Sequence, residues 1–267
     1  RFIYTSDHGQ TESIPFKDYF RETLTDFIKK SLNDPGIEII EGGELKYKEV
    51  VNQIEYVIRA AIGDVLWSRI FHGFYKMIVR KYCKTDYSMP PKESIIIMPQ
   101  GDIAHIYFNI KKKKMLYEEI KKFYPKLLNT FLSHKGVRFL ALSSKNGPIM
   151  LTKDEMVLLN EKDRAYREGF PFPVFNQDFL LDSIKEIVEM KNSGDIILFG
   201  SKIKGKVISF LPDGRGIHGG IEKDEQEIFI ISPVSCSSSI EGVRTPKELY
   251  SIFIKYVKPK QRLEKSL

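Results

Sequence analysis

The run Asp195-Ile196-Ile197-Leu198-Phe199-Gly200 limits how this chain can fold more than any other segment. Alternate residues of a strand face opposite sides of its sheet, so a strand with one wet face alternates apolar and polar side chains. Here the apolar residues are continuous, and a strand of that kind has to be covered on both faces. Amphipathic segments are present to supply the cover. Phe16, Tyr19, Phe20, Leu24, Phe27, Ile28 and Leu32 follow the helical period over Pro15–Leu32, with Pro15 in the first turn and Ser13 as the cap. Phe179, Leu180, Ile184, Ile187 and Val188 do the same over Gln177–Met190. The expected class is α/β, with a helical insertion and a small β-rich block.

The remaining elements follow from local signals. Asn33-Asp34-Pro35-Gly36 ends the first helix, and Ile37–Ile40 reads as a strand, so helix, turn and strand fit a crossover unit. Tyr47–Cys83 is a long helical tract whose charges at Glu55, Arg59, Asp64, Arg69, Arg80 and Lys81 exclude a simple membrane span. Ser94–Met98 and Ile103–Ile110 are strands joined by Pro99-Gln100-Gly101-Asp102, and Met115–Ser133 is a helix interrupted at Pro125. Val137–Ser143 and Pro148–Thr152 form a hairpin about Lys145-Asn146-Gly147. Further strands are expected at Val207–Phe210 and Ile228–Pro233, and Thr245-Pro246-Lys247-Glu248 opens a last helix to about Val257. The domain organisation expected is a core beginning at 1–45, a helical insertion at 46–93, a β-rich subdomain at 94–176 and a return to the core at 177–267.

Charge narrows the partners. The 267 residues carry 42 Lys and Arg against 35 Asp and Glu, a formal net charge of +7, which favours anionic partners. Lys111–Lys114, Lys121, Lys122, Lys202, Lys204 and Lys206 are the candidates for a basic surface. There is no RNA-binding signature and no GxGxxG or GxxxxGK[ST] phosphate loop. No signal peptide is visible, and no run of about 18 apolar residues that would span a bilayer. Cys83 and Cys236 show no paired spacing.

Three places carry residues able to do chemistry. Phe2-Ile3-Tyr4-Thr5 is a short β-rich run leading into Asp7-His8-Gly9. Where a strand ends and the backbone turns, adjacent carboxylate and imidazole side chains can serve one divalent ion, and Gly9 permits that turn. On the residues alone the tripeptide reads equally as a polar turn. Gly214-Arg215-Gly216-Ile217-His218-Gly219-Gly220 sets one histidine among glycines that allow close approach of backbone to a ligand. His105 and Tyr107 share one face of a strand, where His105 either lines a substrate cleft or makes a structural hydrogen bond.

Taken in order, Ser6-Asp7-His8-Gly9-Gln10-Thr11, Gly101-Asp102-Ile103-Ala104-His105-Ile106-Tyr107-Phe108, His134-Lys135-Gly136-Val137-Arg138-Phe139, Gly194–Gly200 and Gly216-Ile217-His218-Gly219-Gly220 carry a resemblance. The set resembles the carboxyl-terminal part of the type I phosphodiesterase and nucleotide pyrophosphatase group of the alkaline phosphatase superfamily. It runs from the first residues to Pro233, and the tract Tyr47–Cys83 has no counterpart in it. The resemblance implies part of an α/β/α sandwich with a mainly parallel sheet, and two divalent ions, zinc with manganese as the alternative, held at strand ends. Asp7 and His8 would bind one ion and His218 the other. A threonine or serine nucleophile, activated by the ions, would attack a phosphoester in line, and water would release the enzyme.

The family's nucleophile, its first metal-binding aspartate and its Asp-x-x-x-His pair all precede the DHG motif, where this chain has almost no sequence. The expectation is therefore a portion of a larger phosphodiesterase with an incomplete metal site, inactive by itself, whose parent takes a phosphoester substrate. The rival readings are a non-catalytic basic domain that binds nucleic acid or another anionic partner, and an interaction module built on the helical tract.

Overall fold

A computed structural model describes residues 3–32, 36–42, 94–160, 177–233 and 240–254. The chain forms two units, Arg1–Gly9 with Glu227–Leu267, and Gln10–Gln226.

The larger unit is built on a seven-stranded sheet in the order β3-β4-β5-β9-β6-β7-β8. Its strands are β3 (Ile39–Glu41), β4 (Ile95–Gln100), β5 (Ile103–Phe108), β6 (Val137–Ser144), β7 (Gly147–Leu151), β8 (Met156–Leu158) and β9 (Ile196–Gly200). The continuous apolar run is β9, buried at every position and placed between β5 and β6. Its alternate residues enter two separate cores, Ile196 and Leu198 on one face, Ile197 and Phe199 on the other. The first core is closed by α1 (Phe16–Phe20), α2 (Leu24–Leu32), α3 (Tyr117–Phe123) and α4 (Leu127–Ser133), through Phe16, Phe27, Ile120 and Phe131 among others. The second is closed by α5 (Gln177–Glu189) through Leu180, Leu181, Ile184 and Val188. Helices on both faces of the sheet make three layers, and the α/β class expected from β9 is the one adopted.

The sheet itself corrects one expectation. Within it only β3 and β4 pair in parallel; every other neighbouring pair is antiparallel. A mainly parallel sheet needs long crossovers, and here β4–β5 and β6–β7 are joined by turns of two residues, which can only reverse the chain. The expected boundary at 176 is also absent from the sheet, since β9 sits between two strands of the 94–176 block. The tract 46–93, together with Cys83, Cys236 and the end of the last helix, lies outside the described residues.

The first helical segment is two helices. Arg21 adopts the left-handed conformation with φ 62, which ends α1 and starts a new direction at α2. Pro15 closes a strand instead of opening a helix. That strand, β2 (Thr11–Pro15), is central in a second sheet with β10 (Lys202–Ile203), β11 (Lys206–Ser209) and β12 (Gly216–Ile217), in the order β10-β11-β2-β12. Ser13, expected to cap a helix, donates its hydroxyl to the Gly214 carbonyl at 2.9 Å.

A bulge in β6 has a visible consequence. Val137 pairs with Gly200 and Phe139 with Phe199, leaving Arg138 as the extra residue. Val137 consequently points into the core of α1–α4 while Phe139 points into that of α5. Arg138 is turned towards Glu222, beside the short helix α6 (Lys223–Gln226).

The smaller unit pairs β1 (Tyr4–Thr5) antiparallel with β13 (Ile230–Ile231) and includes α7 (Pro246–Phe253). Thr245 caps α7 by accepting from the Glu248 backbone N–H at 3.2 Å, while Glu248 accepts in return from the Thr245 N–H at 3.1 Å.

Candidate functional site

The Asp7-His8-Gly9 turn begins where β1 stops. Ser6 continues the pairing, its N–H donating to the Phe229 carbonyl and its hydroxyl accepting from the Phe229 N–H, both at 3.2 Å. The next residues leave the ribbon and are exposed. Asp7 Oδ1 accepts from the His8 N–H at 3.1 Å, which bends the carboxylate back over the turn. His8 Nδ1 lies 2.8 Å from the Gly9 carbonyl. A carbonyl only accepts, so Nδ1 donates in this contact, and Nε2 is the nitrogen on the Asp7 side. That nitrogen lies 3.5 Å from Asp7 Oδ2. Two ligands about 2.1 Å from a tetrahedral ion stand about 3.4 Å apart, so this oxygen and this nitrogen have the spacing of neighbours in one coordination shell.

His218 belongs to the larger unit. β12 runs antiparallel to β2, with Gly216 opposite Glu12 and Ile217 opposite Thr11. Ile217 is buried and His218, the next residue, is exposed. The Ser13 N–H donates to the Arg215 carbonyl at 3.0 Å and fixes the approach to the loop. Gly219 has φ 86, a conformation that keeps this position for glycine. Gly101, with φ 68, lies under the loop, where a Cβ would meet the His218 carbonyl oxygen at 3.5 Å.

Beneath Gly220 the structure places two acids that the sequence did not mark. Asp102, in the turn before β5, is 0 % exposed; Glu225, in α6, is 3 % exposed. A Cβ on Gly220 would overlap both carboxylate oxygens of Asp102 and Oε2 of Glu225, so the two carboxyls converge on one side of its Cα. Glu225 Oε2 accepts from the Glu222 N–H at 3.1 Å. Among the described residues, neither oxygen of Asp102 and not Oε1 of Glu225 has a hydrogen-bond partner. Burial pushes the Asp102 carboxyl up to about 7. Burial, followed by the charge of Asp102, pushes Glu225 up to about 8.

Glu222, three residues before Glu225, behaves differently. It accepts from Arg138 at 2.5 Å and from Lys202 at 2.7 Å. Burial alone would raise its carboxyl, and the hydrogen bonds from Lys202 and Arg138 more than offset this and hold it below the ordinary range. Three acids within one loop and turn therefore divide into one ionised member with two cations and a buried pair with none.

His105 is tied into the framework. Its Nδ1 accepts from the Gly194 N–H at 3.0 Å, and its ring stacks on Tyr107 with centroids 6.2 Å apart. Tyr107 in turn donates to the Asn192 carbonyl at 3.0 Å. Burial first and the Lys114 charge second lower the His105 pKa. The pair fastens the connection from α5 to β9.

Four of the candidate basic residues, Lys111, Lys114, Lys202 and Lys206, meet acids or carbonyls. Lys111 pairs with Glu119, Lys202 with Glu222 and Lys206 with Glu12. Lys114 donates to the carbonyls of Val188 at 2.7 Å and Met190 at 3.1 Å, at the end of α5. No helix among the described residues is long and apolar enough to cross a membrane.

The structure sets Asp7 and His8 side by side after β1 and places His218 after β12. The donor set fits part of a zinc or manganese shell, with one hard oxygen and one imidazole nitrogen. Among the described residues no group of three or more His, Cys, Asp and Glu gathers in a metal-holding arrangement. Comparison of the chain with known protein families, with curated proteins and with solved structures finds no match.

Proposed function

We propose that this chain is the carboxyl-terminal portion of a two-metal phosphoester hydrolase. Asp7 and His8 are ligands of one divalent ion and His218 is a ligand of a second, zinc or manganese in each case. Bound ions of this kind polarise phosphoryl oxygens and lower the pKa of a nucleophilic hydroxyl, here a threonine or serine upstream of Arg1. The chain's own task is to hold ligands at strand ends: Asp7 and His8 after β1, His218 after β12.

The observation that supports this reading most directly is the 3.5 Å between His8 Nε2 and Asp7 Oδ2, with Nδ1 held to the Gly9 carbonyl. With Nδ1 donating to the backbone, Nε2 is the ring nitrogen on the carboxylate side, where a metal would use it.

The test is metal analysis of this chain beside one extended upstream of Arg1, with hydrolysis of bis(p-nitrophenyl) phosphate as the activity. Near-stoichiometric zinc or manganese in the extended form, with turnover abolished by a chelator, is expected. Asp7→Asn and His218→Ala should each remove most of that turnover. Unchanged turnover in both variants would sink the assignment. Metal absent from both forms would return the three residues to ordinary turns.

A further inference from the structure

The HGG loop has a support that a simple glycine turn does not require. We propose that Asp102 and Glu225 share a proton and together act as a pH-sensitive clamp on the Gly220 end of the loop that carries His218.

The geometry carries the inference. Two carboxyls from distant parts of the chain, one in the turn before β5 and one in α6, meet against the same glycine Cα. Both are more than nine-tenths buried, and three of their four oxygens have no hydrogen-bond partner among the described residues. Two ionised carboxylates so deeply buried would repel each other with little screening from solvent. One proton between them removes a charge and turns repulsion into a hydrogen bond from one carboxyl to the other. The neighbouring cations do not take that role. Arg138 from β6 and Lys202 from β10 both bind Glu222, whose own negative charge faces the pair. Together, Arg138, Lys202 and Glu222 are the charged groups that act on the pair.

The clamp acts on the loop through backbone. Asp102 and Glu225 close over Gly220, while Gly101 lies under the His218 carbonyl. Gln226, next to Glu225, donates its side-chain amide to the Gly220 carbonyl. Losing the proton puts two negative charges at this point, and the chain relieves them by lifting Gly220–Gln226 away from β5. The proton passes to solvent as the pair opens. Asp102 and Glu225 are positioning residues, and their effect on a metal at His218 rests on the proposed function; the clamp itself does not.

Amide hydrogen exchange over residues 219–222 tests this on the metal-free chain, so the result is independent of whether His218 binds an ion. After correction for intrinsic exchange, protection in the wild type should fall as pH rises to about 8, by about tenfold per pH unit for each proton the closed pair holds. Asp102→Asn supplies a permanent N–H donor to Glu225 and should keep the loop protected with a flat profile. Glu225→Gln should do the same from the other side. Wild-type protection that does not change with pH would overturn the clamp. So would an Asp102→Asn profile that follows the wild type. Protection that appears only with added calcium or manganese, and is lost in Asp102→Asn, would put a cation in place of the proton and likewise overturn it.

Discussion

The two carboxylate oxygens of Asp102 pack against the Cα of Gly220, leaving no room for a side chain there. This is a steric requirement for glycine, distinct from the conformational one at Gly219 and Gly205, where φ is 86 and 82 and no atom lies within 4 Å of a built Cβ. The two kinds separate experimentally. Gly220→Ala must displace a buried carboxyl and should cost about 1–3 kcal/mol, as overpacking does. Gly205→Ala meets nothing and should cost only the backbone term, about 1 kcal/mol. Urea unfolding of the two variants should give the larger loss of midpoint for Gly220→Ala.

Stability should peak on the acid side of neutrality. Asp102 and Glu225 have folded pKa values raised to about 7 and about 8, and burial also raises Asp195. A raised carboxyl holds its proton in the folded state after the unfolded chain has lost it. Its stabilising contribution is whole below the unfolded value near 4 and falls until the folded pKa is passed, by about 1.4 kcal/mol per pH unit for each proton held. Glu222 acts oppositely. Its folded pKa is lowered, so its contribution is present above the ordinary glutamate value and lost as pH falls through the lowered one. Unfolding midpoints measured from pH 4 to 9 should fall towards pH 8 and then level. A profile that rises through neutrality would contradict the burial of these acids.

Some of this was open to reading from the sequence and some was not. The two-sided burial of β9 follows from its unbroken apolar run, and the hairpin at Lys145-Asn146-Gly147 from its turn residues. Asp7-His8-Gly9 and His218-Gly219-Gly220 were visible because each combines a ligand type with a glycine. β2 was missed because Thr11-Glu12-Ser13-Ile14-Pro15 is too short and polar to announce a strand. It is one only because β11 and β12 flank it. The Asp102–Glu225 pair was invisible for a different reason. An Asp in a turn and a Glu in a charged stretch look like solvated residues, and only tertiary packing against Gly220 buries them. Direction of pairing failed where short turns decide it: turn length between β4 and β5 outweighs the parallel sheet that the resemblance implied.

Asp195, the charged residue that opens β9, is there for its hydrogen bonds. It is buried, and its two oxygens accept from the N–H groups of Phe108 at 2.7 Å and Met115 at 2.6 Å. These donors lie at the two ends of the Asn109–Lys114 connection, so one side chain ties the end of β5 to the approach to α3. Asp195→Ala leaves two buried N–H groups unsatisfied and should cost about 2–6 kcal/mol, about 1–3 for each donor. Asp195→Asn keeps one acceptor and should cost about half as much. Equal losses in both variants, measured by chemical unfolding, would mean that the charge rather than the hydrogen bonds matters.

Arg138 and Glu222 couple the bulge in β6 to the loop that follows His218. Their side chains are largely buried and Lys202 shares the carboxylate, so solvent screening weakens the contact only in part. Arg138→Ala should cost about 2–3 kcal/mol, since it leaves Glu222 with a single cation in a partly desolvated place. Glu222→Gln alone leaves Arg138 and Lys202 facing each other without a counter-charge and should also destabilise. The double variant should lose less than the two single losses added, with a coupling of about 1–2 kcal/mol. Because α6 carries Glu225, the same cycle read by exchange over residues 219–222 should show the loop loosening in Arg138→Ala. Strictly additive losses, with loop exchange unchanged, would show that the bulge residue only decorates the surface and has no hold on the HGG loop.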